Sequence, residues 1–400
     1  MRIGMMADVY KPHISGITNY ISLNKHYLES YGHEVFVFTF GDVNHEDDET
    51  NIIRSPGLPI LDTGYYISLQ YTRSARKLLR TMDVVHVHHP FLSGALALRY
   101  CRSRGIPIIF TNHTRYDLYT HAYLPGLPEV IGETALQVYM PSFCRACDLV
   151  VSPSSGMRDV LHKFGVDSPI VVVPNGVNLS PFRNVFQPMD RSQFGFTAQD
   201  VLLIYTGRLG PEKNLPFLLR TFAGTAQSYD HVGLLIVGDG PERDNLQDRA
   251  KHMGISARIH FTGMVPYTDI PRYLAAADVF VTASVTEVHP FSLIEAMAAG
   301  LPALGIQSPG VGDTIINNET GFLVPEEDLS AFTAKLVRMV TNHAERKRMG
   351  ERACQAVNAY SIDRTTQMMM EHYKNVTYQA NKRRRGLHAH LTRVWTRWFR

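Results

Sequence analysis

The chain has 400 residues, 44% of them hydrophobic and 19% charged, with a formal net charge of +3. That is too long for one ordinary core, which points to two domains, and too evenly globular for a disordered or fibrous chain. The charge is unevenly placed: residues 382–400 hold seven Lys or Arg and no acid, leaving 33 basic against 37 acidic residues elsewhere, which argues against a nucleic-acid footprint over the whole surface.

The opening "MRIGMMADVYKP" is a short apolar run broken by Asp8, with no signal-peptide h-region. It predicts a buried strand, a loop containing Gly16 and a helix from about Ile17. "HEVFVFTF", "DVVHVHH", "IPIIFTNH", "DLVVSPS" and "PIVVVPNG" repeat the apolar, β-branched theme with helical patterns between them. Such runs predict a parallel sheet covered on both faces, and right-handed crossovers make it doubly wound. Residues 174–200, rich in Pro, Gly and Asn, interrupt the rhythm and read as a hinge. It then restarts in "VLLIYTG", "VGLLIVG", "ARIHFTG", "DVFVTAS", "LPALGI" and "GFLVP". The expected organisation is a first domain at 1–173, a second at 174–358, a C-terminal helix at 359–380 whose return to the first domain is left open, and a basic tail at 381–400. Ligands of such sheets sit beyond the carboxyl ends of the strands, here an interdomain cleft.

No run of about 18 apolar residues occurs, so no transmembrane helix is expected. The four cysteines, Cys101, Cys144, Cys147 and Cys354, make no disulfide framework and fit a reducing cytosol. One C-x-x-C in "SFCRACDLVV" reads as buried small residues rather than as a metal site.

Three stretches carry chemistry. In "SVTEVHPFSLIEAMAAGLP", Glu287 follows a strand end and Glu295 lies about one turn into the helix that starts near Phe291. Carboxylates accept from sugar and ribose hydroxyls, and a helix start receives phosphate. The competing reading is a surface Glu and a helix-stabilising Glu. In "YTGRLGPEKNLPFLL", Arg208 and Lys213 stand between a strand end and a helix near Asn214. Two cations there would stabilise a diphosphate leaving group; two solvated loop charges are the plainer alternative. "IVGDGPERDNL" adds a glycine turn, a weak signal alone.

Taken together, "GRLGPEKN", "VGDGPERDNL", "FTGMVP" and the E-x7-E of "EVHPFSLIEAMAAGLP" resemble the retaining family 4 glycosyltransferases. This GT-B class, an α/β fold of two Rossmann-like domains facing across a cleft, includes bacterial glycolipid synthases and sucrose synthase. The resemblance runs from "DVYKPHISGITNY" to about Tyr373. It implies that Gly16 lets the first loop approach the donor diphosphate, that Arg208 and Lys213 hold the phosphates, and that Met264 contacts the base through its backbone. It places Glu287 on the donor sugar, Glu295 on the ribose, and the N–H groups of Phe291 and Ser292 on the diphosphate. His113, in "FTNHTRYDLY", matches the catalytic-region histidine, with a structural histidine as the alternative. His86, His88 and His89 read as structural, the first two pointing opposite to the third. Pro290 stands where the family usually has Gly, and it removes one backbone donor. The resemblance also implies front-face transfer with retention. No Asp-x-Asp metal motif ends a strand, so neither a metal nor a cofactor is expected.

The acceptor is read from the basic segments. As a helix, the tail puts Leu387, Leu391, Val394, Trp395, Trp398 and Phe399 on one stripe and Arg393, Arg397 and Arg400 on another. Tryptophan favours the headgroup level, so this reads as an interfacial helix. A disordered tail on nucleic acid, or a stripe packed on the protein, are the alternatives. Arg73, Arg76, Lys77 and Arg80 also share a helical face. Glycolipid synthases of the family approach the membrane with a basic helix in this region; the plain alternative is a solvated face. Tyr116, Tyr119 and Tyr123 would line the acceptor side for a lipid headgroup, or pack half-buried.

The resulting expectation is a cytoplasmic enzyme, peripheral on the inner face of the cell membrane, that binds a nucleotide diphosphate sugar and an anionic membrane surface but no nucleic acid. It would move a hexose, glucose first, to 1,2-diacylglycerol. The alternatives are mannosyl transfer to a phosphatidylinositol-type or other lipid-linked acceptor, and a sugar-nucleotide binder without turnover.

Overall fold

The computed structural model describes residues 1–60, 65–116, 118, 129–325 and 328–398, with side chains described except at 129–133 and 385–398. The chain divides into two compact units. One comprises Met1–Pro153, Arg158–Gly176 and Ile362–Arg400; the other comprises Ser154–Met157 and Val177–Ser361.

The first unit contains strands β1 (Arg2–Met6), β2 (Glu34–Phe40), β3 (Ile52–Ser55), β4 (Leu58–Ile60), β5 (Tyr65–Ile67), β6 (Val84–Val87), β7 (Ile108–Thr111), β8 (Leu149–Ser152) and β9 (Ile170–Val172). Seven form a parallel sheet in the order β3-β2-β1-β6-β7-β8-β9, and β4 and β5 make a separate antiparallel hairpin. The central strands are buried on both faces, as their unbroken apolar runs require. The order reverses between β1 and β6, so their carboxyl ends flank a natural ligand position. The first crossover helix, Gly16–Ser30, is fixed by a capping box: the Thr18 N–H donates to Ser15 Oγ, and the Ser15 N–H donates to Thr18 Oγ1.

The second unit contains β10 (Val201–Thr206), β11 (Val232–Val237), β12 (Ile259–Gly263), β13 (Val279–Thr282), β14 (Ala303–Ile306) and β15 (Gly321–Val324), parallel in the order β12-β11-β10-β13-β14-β15. Alternate residues serve two cores. Leu203, Tyr205, Leu234 and Ile236 join Phe217, Phe222 and Phe332 on one face. Leu202, Ile204, Leu235 and Val237 join Phe280, Leu293 and Met297 on the other. Here the order reverses between β10 and β13.

Sequence patterning separates a helix at 359–380 from a tail at 381–400, but one helix, Ile362–Trp398, runs through both. At 37 residues it is about 55 Å long. It belongs to the first unit and packs on the helix Gly16–Ser30. Tyr31 donates to Asp363 at 3.2 Å, and Tyr373 is buried. Further along, Arg383 pairs with Asp148, and Arg384 donates to the Arg104 carbonyl at 2.5 Å. No helix among the described residues is long and apolar enough to cross a membrane.

Candidate active site

At the reversal point of the second sheet, two loops carry the predicted donor residues. The β10 loop gives Arg208 and Lys213 before the helix Leu215–Ala226; the β13 loop gives Glu287 before the helix Phe291–Ala298. They meet in an ion pair, Lys213 Nζ to Glu287 Oε1 at 2.6 Å, with the side chains 21% and 22% exposed. Burial pulls the Lys213 ammonium down, but the acidic groups around it, Glu287 first and then Tyr205 and Glu212, together more than offset it and leave Lys213 above the ordinary lysine range. Arg208 is exposed and reaches back to Glu212 at 3.3 Å. The two loops are tied together, since Ser284 and Thr286 hydroxyls both donate to the Glu212 carbonyl.

The backbone around Glu287 is held from below. The Gly310 N–H donates to the Glu287 carbonyl at 2.9 Å, and Ser154 Oγ donates to the Val288 carbonyl at 2.7 Å. A Cβ on Gly310 would lie 2.5 Å from the Val288 carbonyl carbon, so only glycine allows this approach. Pro290 is the N-cap of the helix Phe291–Ala298 and supplies no side-chain cap. Phe291 and Ser292, half-buried at its start, present backbone N–H groups with no intrahelical acceptor.

Glu295, on the same helix, is buried and accepts from the Tyr267 hydroxyl at 2.8 Å. Burial raises its carboxyl to about 7, against the lowering effect of that hydrogen bond. Tyr267 escaped the sequence reading, because nothing in the spacing of "MVPYTD" links it to a carboxylate 28 residues on. Met264, following Gly263 at the end of β12, is exposed.

In the first unit, His113 follows β7, His86 lies in β6, and His88 and His89 follow β6. His88 Nδ1 is 3.0 Å from His113 Nε2. His86 Nδ1 meets the Tyr373 hydroxyl at 2.7 Å, and its Nε2 meets Thr111 Oγ1 at 2.6 Å. The His86 and His88 rings lie 4.2 Å apart, and Tyr20 packs edge-on against His113 at 4.7 Å. Burial, reinforced for His88 and His113 by neighbouring imidazoles, holds all three below the ordinary histidine range, His86 at about 3. His89 turns the other way and accepts from the Asp8 N–H at 3.2 Å. Gly16 is exposed as the first residue of its helix.

Tyr116 is buried edge-on against Phe91, a packing position rather than an open lining. Tyr119, Tyr123 and Phe399 lie outside the described residues, as do the side chains of Arg393, Trp395, Arg397 and Trp398, although the helix backbone reaches 398. Arg73, Lys77 and Arg80 are exposed; Arg76 is half-buried with its guanidinium over the Tyr100 ring. No cluster of three or more candidate metal ligands occurs among the described residues.

Residues 186–356 match the profile of "Glycosyl transferases group 1", and residues 14–181 that of "Glycosyltransferase Family 4". The chain is 30% identical over 346 residues to the alpha-monoglucosyldiacylglycerol synthase of Streptococcus pneumoniae, covering 82% of this chain and 77% of that one. It is 25% identical over 396 residues to the phosphatidyl-myo-inositol mannosyltransferase of Mycobacterium leprae, covering 96% and 99%. Its fold is similar to Anabaena HepE, solved with UDP and glucose, at a TM-score of 0.75 and 19% identity over 94% of this chain and 100% of that one.

Proposed function

The chain belongs to the family 4 glycosyltransferases, and from that premise we propose that it moves glucose from a nucleoside diphosphate donor, UDP-glucose first, to 1,2-diacylglycerol at an anionic membrane surface, with retention. The observation that carries the substrate reading is the similarity to the glucosyldiacylglycerol synthase over most of both chains.

In this reading the donor diphosphate is received by Arg208, Lys213 and the N–H groups of Phe291 and Ser292. Lys213 already carries its positive charge and is held by Glu287. Phosphate charge grows as the anomeric C–O bond breaks, and fixed cations stabilise it. Glu287 accepts from the sugar hydroxyls and Glu295 from the ribose, with Tyr267 moving off its carboxylate. His113 steadies the sugar as it becomes oxocarbenium-like. The acceptor oxygen attacks from the face that the phosphate leaves, and the departing phosphate oxygen takes the acceptor's proton. Arg73, Arg76, Lys77, Arg80 and the terminal Arg/Trp segment, with Arg393, Trp395, Arg397, Trp398 and Phe399, dock the enzyme peripherally on the cytoplasmic face.

A second reading, mannosyl transfer to a phosphatidylinositol-type lipid, is favoured by the near-complete coverage of the mannosyltransferase. A matrix of UDP- and GDP-hexoses against diacylglycerol and phosphatidylinositol in vesicles separates the two. Turnover is expected with UDP-glucose and diacylglycerol. Turnover confined to GDP-mannose and phosphatidylinositol selects the second reading, and wild-type rates no higher than those of Glu287→Ala and His113→Ala remove the enzymatic one.

A further inference from the structure

The β4–β5 hairpin carries large apolar side chains that stand open to solvent. The register pairs Leu58 with Ile67 and Ile60 with Tyr65. Side chains two apart on a strand share a face, as do directly paired residues, so these four lie on one side of the ribbon. Three are open to solvent: Leu58 is 76% exposed, Ile60 37% and Ile67 46%, and Leu69, two residues past the strand, is 76% exposed. Tyr65 is half-buried with its ring against His13. Tyr66, on the opposite side, turns inward, since a Cβ on Gly41 would meet its ring at 3.8 Å. The ribbon is thus anchored through Tyr65 and Tyr66 and leaves the Leu58, Ile60 and Ile67 side chains facing solvent. Single exposed apolar residues are ordinary, but a same-face set on a short ribbon marks an interaction surface.

The next element along the chain points to the partner that covers this face. The helix Arg73–Leu79 begins four residues after Leu69, capped by Thr72 accepting from the Ala75 N–H. Arg73, Lys77 and Arg80 are exposed and form no ion pair among the described residues. Exposed apolar side chains followed directly in the chain by unneutralised cations match the boundary between acyl chains and anionic headgroups. A two-stranded ribbon leaves edge N–H and C=O groups unpaired, so it enters only to the depth where water still reaches them.

We propose that Leu58, Ile60 and Ile67 of the hairpin, with Leu69 just after it, insert at the acyl boundary of an anionic phospholipid membrane, with Arg73, Lys77 and Arg80 of the following helix on the headgroups. The inference rests on the membrane reading above and adds the element that penetrates. It gives the first unit an apolar contact of its own, independent of the terminal helix, that salt does not screen.

The test uses the full chain with phosphatidylcholine vesicles, with or without phosphatidylglycerol. Leu58→Ser/Leu69→Ser is expected to weaken sedimentation with anionic vesicles about tenfold or more, and to abolish the fraction that survives high salt. In a Trp395→Phe/Trp398→Phe background, Leu69→Trp should give emission that shifts to the blue on anionic vesicles and is quenched by lipids brominated along their acyl chains. Wild-type sedimentation with a new indole that stays water-exposed overturns the hairpin insertion and leaves the membrane reading standing. No sedimentation of the wild type overturns both. A dimer in the wild type that the double serine variant dissociates assigns the face to a second copy and also overturns the proposal.

Discussion

His88 Nδ1 lies 3.0 Å from His113 Nε2, and the two rings are partly stacked. Burial keeps both imidazoles neutral near pH 7, so one proton lies between the two nitrogens. His88 Nε2 is buried with no hydrogen-bond partner among the described residues. A buried N–H without an acceptor costs more than a lone pair without a donor, so the His88 proton belongs on Nδ1. His88 then donates, His113 Nε2 accepts, and His113 carries its own proton on Nδ1. In the proposed reaction His88 is a positioning residue, since it fixes which nitrogen of His113 is a donor.

The asparagine amide N–H reproduces an Nδ1–H donor, whereas leucine has none. His88→Leu is therefore expected to lower kcat about tenfold or more with little change in donor KM, and His88→Asn to restore most of it. Nitrogen-15 shifts of labelled His113 should report protonation at Nδ1 in the wild type. An Nε2-protonated His113, or equal kcat for the Leu and Asn variants, would sink the assignment.

Lys213 and Glu287 form a partly buried pair, so removing either partner leaves the other uncompensated. Lys213→Ala and Glu287→Ala are each expected to lower kcat/KM about 100-fold or more. The double variant should fall short of the sum, with a coupling energy of about 1–3 kcal/mol. Strict additivity in the double-mutant cycle would show that the two act independently on the donor.

Glu295 makes stability depend on pH in a direction opposite to that of a salt-bridged carboxylate. Its folded carboxyl sits at about 7, above the ordinary 4.5, so between those values the folded state holds a proton that the unfolded chain has lost. Stability contributed at this site therefore falls as pH rises from about 4.5 to 7 and stays low above that. Glu295→Gln should exceed the wild type in stability by up to about 3 kcal/mol at pH 8, with the difference fading towards pH 4. The same change should weaken donor binding, since the amide accepts ribose hydroxyls less strongly than a carboxylate. Urea denaturation across pH decides it; a pH-independent difference would contradict a raised carboxyl.

The terminal helix sets where a truncation should fall. Arg383 and Arg384 are bonded to Asp148 and Arg104 on the first unit, so a cut before them removes structural contacts. Deleting 385–400 instead should weaken binding to anionic vesicles and slow lipid glycosylation, with donor affinity and melting temperature nearly unchanged. Vesicle binding equal to that of the full chain would exclude this segment from the membrane contact.

Much of the fold is legible in residue order alone. Unbroken apolar runs such as "VLLIYTG" and "VGLLIVG" dictate parallel strands covered on both faces, because such runs have no face to give to water. The loops carrying Arg208, Lys213 and Glu287 stand out by residue type and position after a strand, since phosphate and hydroxyl chemistry narrows both.

Contacts set by topology are not legible in that way. That Lys213 meets Glu287 depends on β10 and β13 being neighbours although β11 and β12 lie between them in sequence. That Tyr267 covers Glu295, that Ser154 holds the Val288 carbonyl, and that Tyr373 reaches His86 from a helix 287 residues away are likewise long-range. The β4–β5 ribbon escapes the sequence reading altogether; only pairing and burial show it and the apolar side chains it leaves exposed. The sequence by itself determined the long apolar strands and the residue types each loop offers, because period and side-chain type are local. Tertiary structure decided which groups share a proton, a charge or an open surface, because those depend on which strands lie side by side.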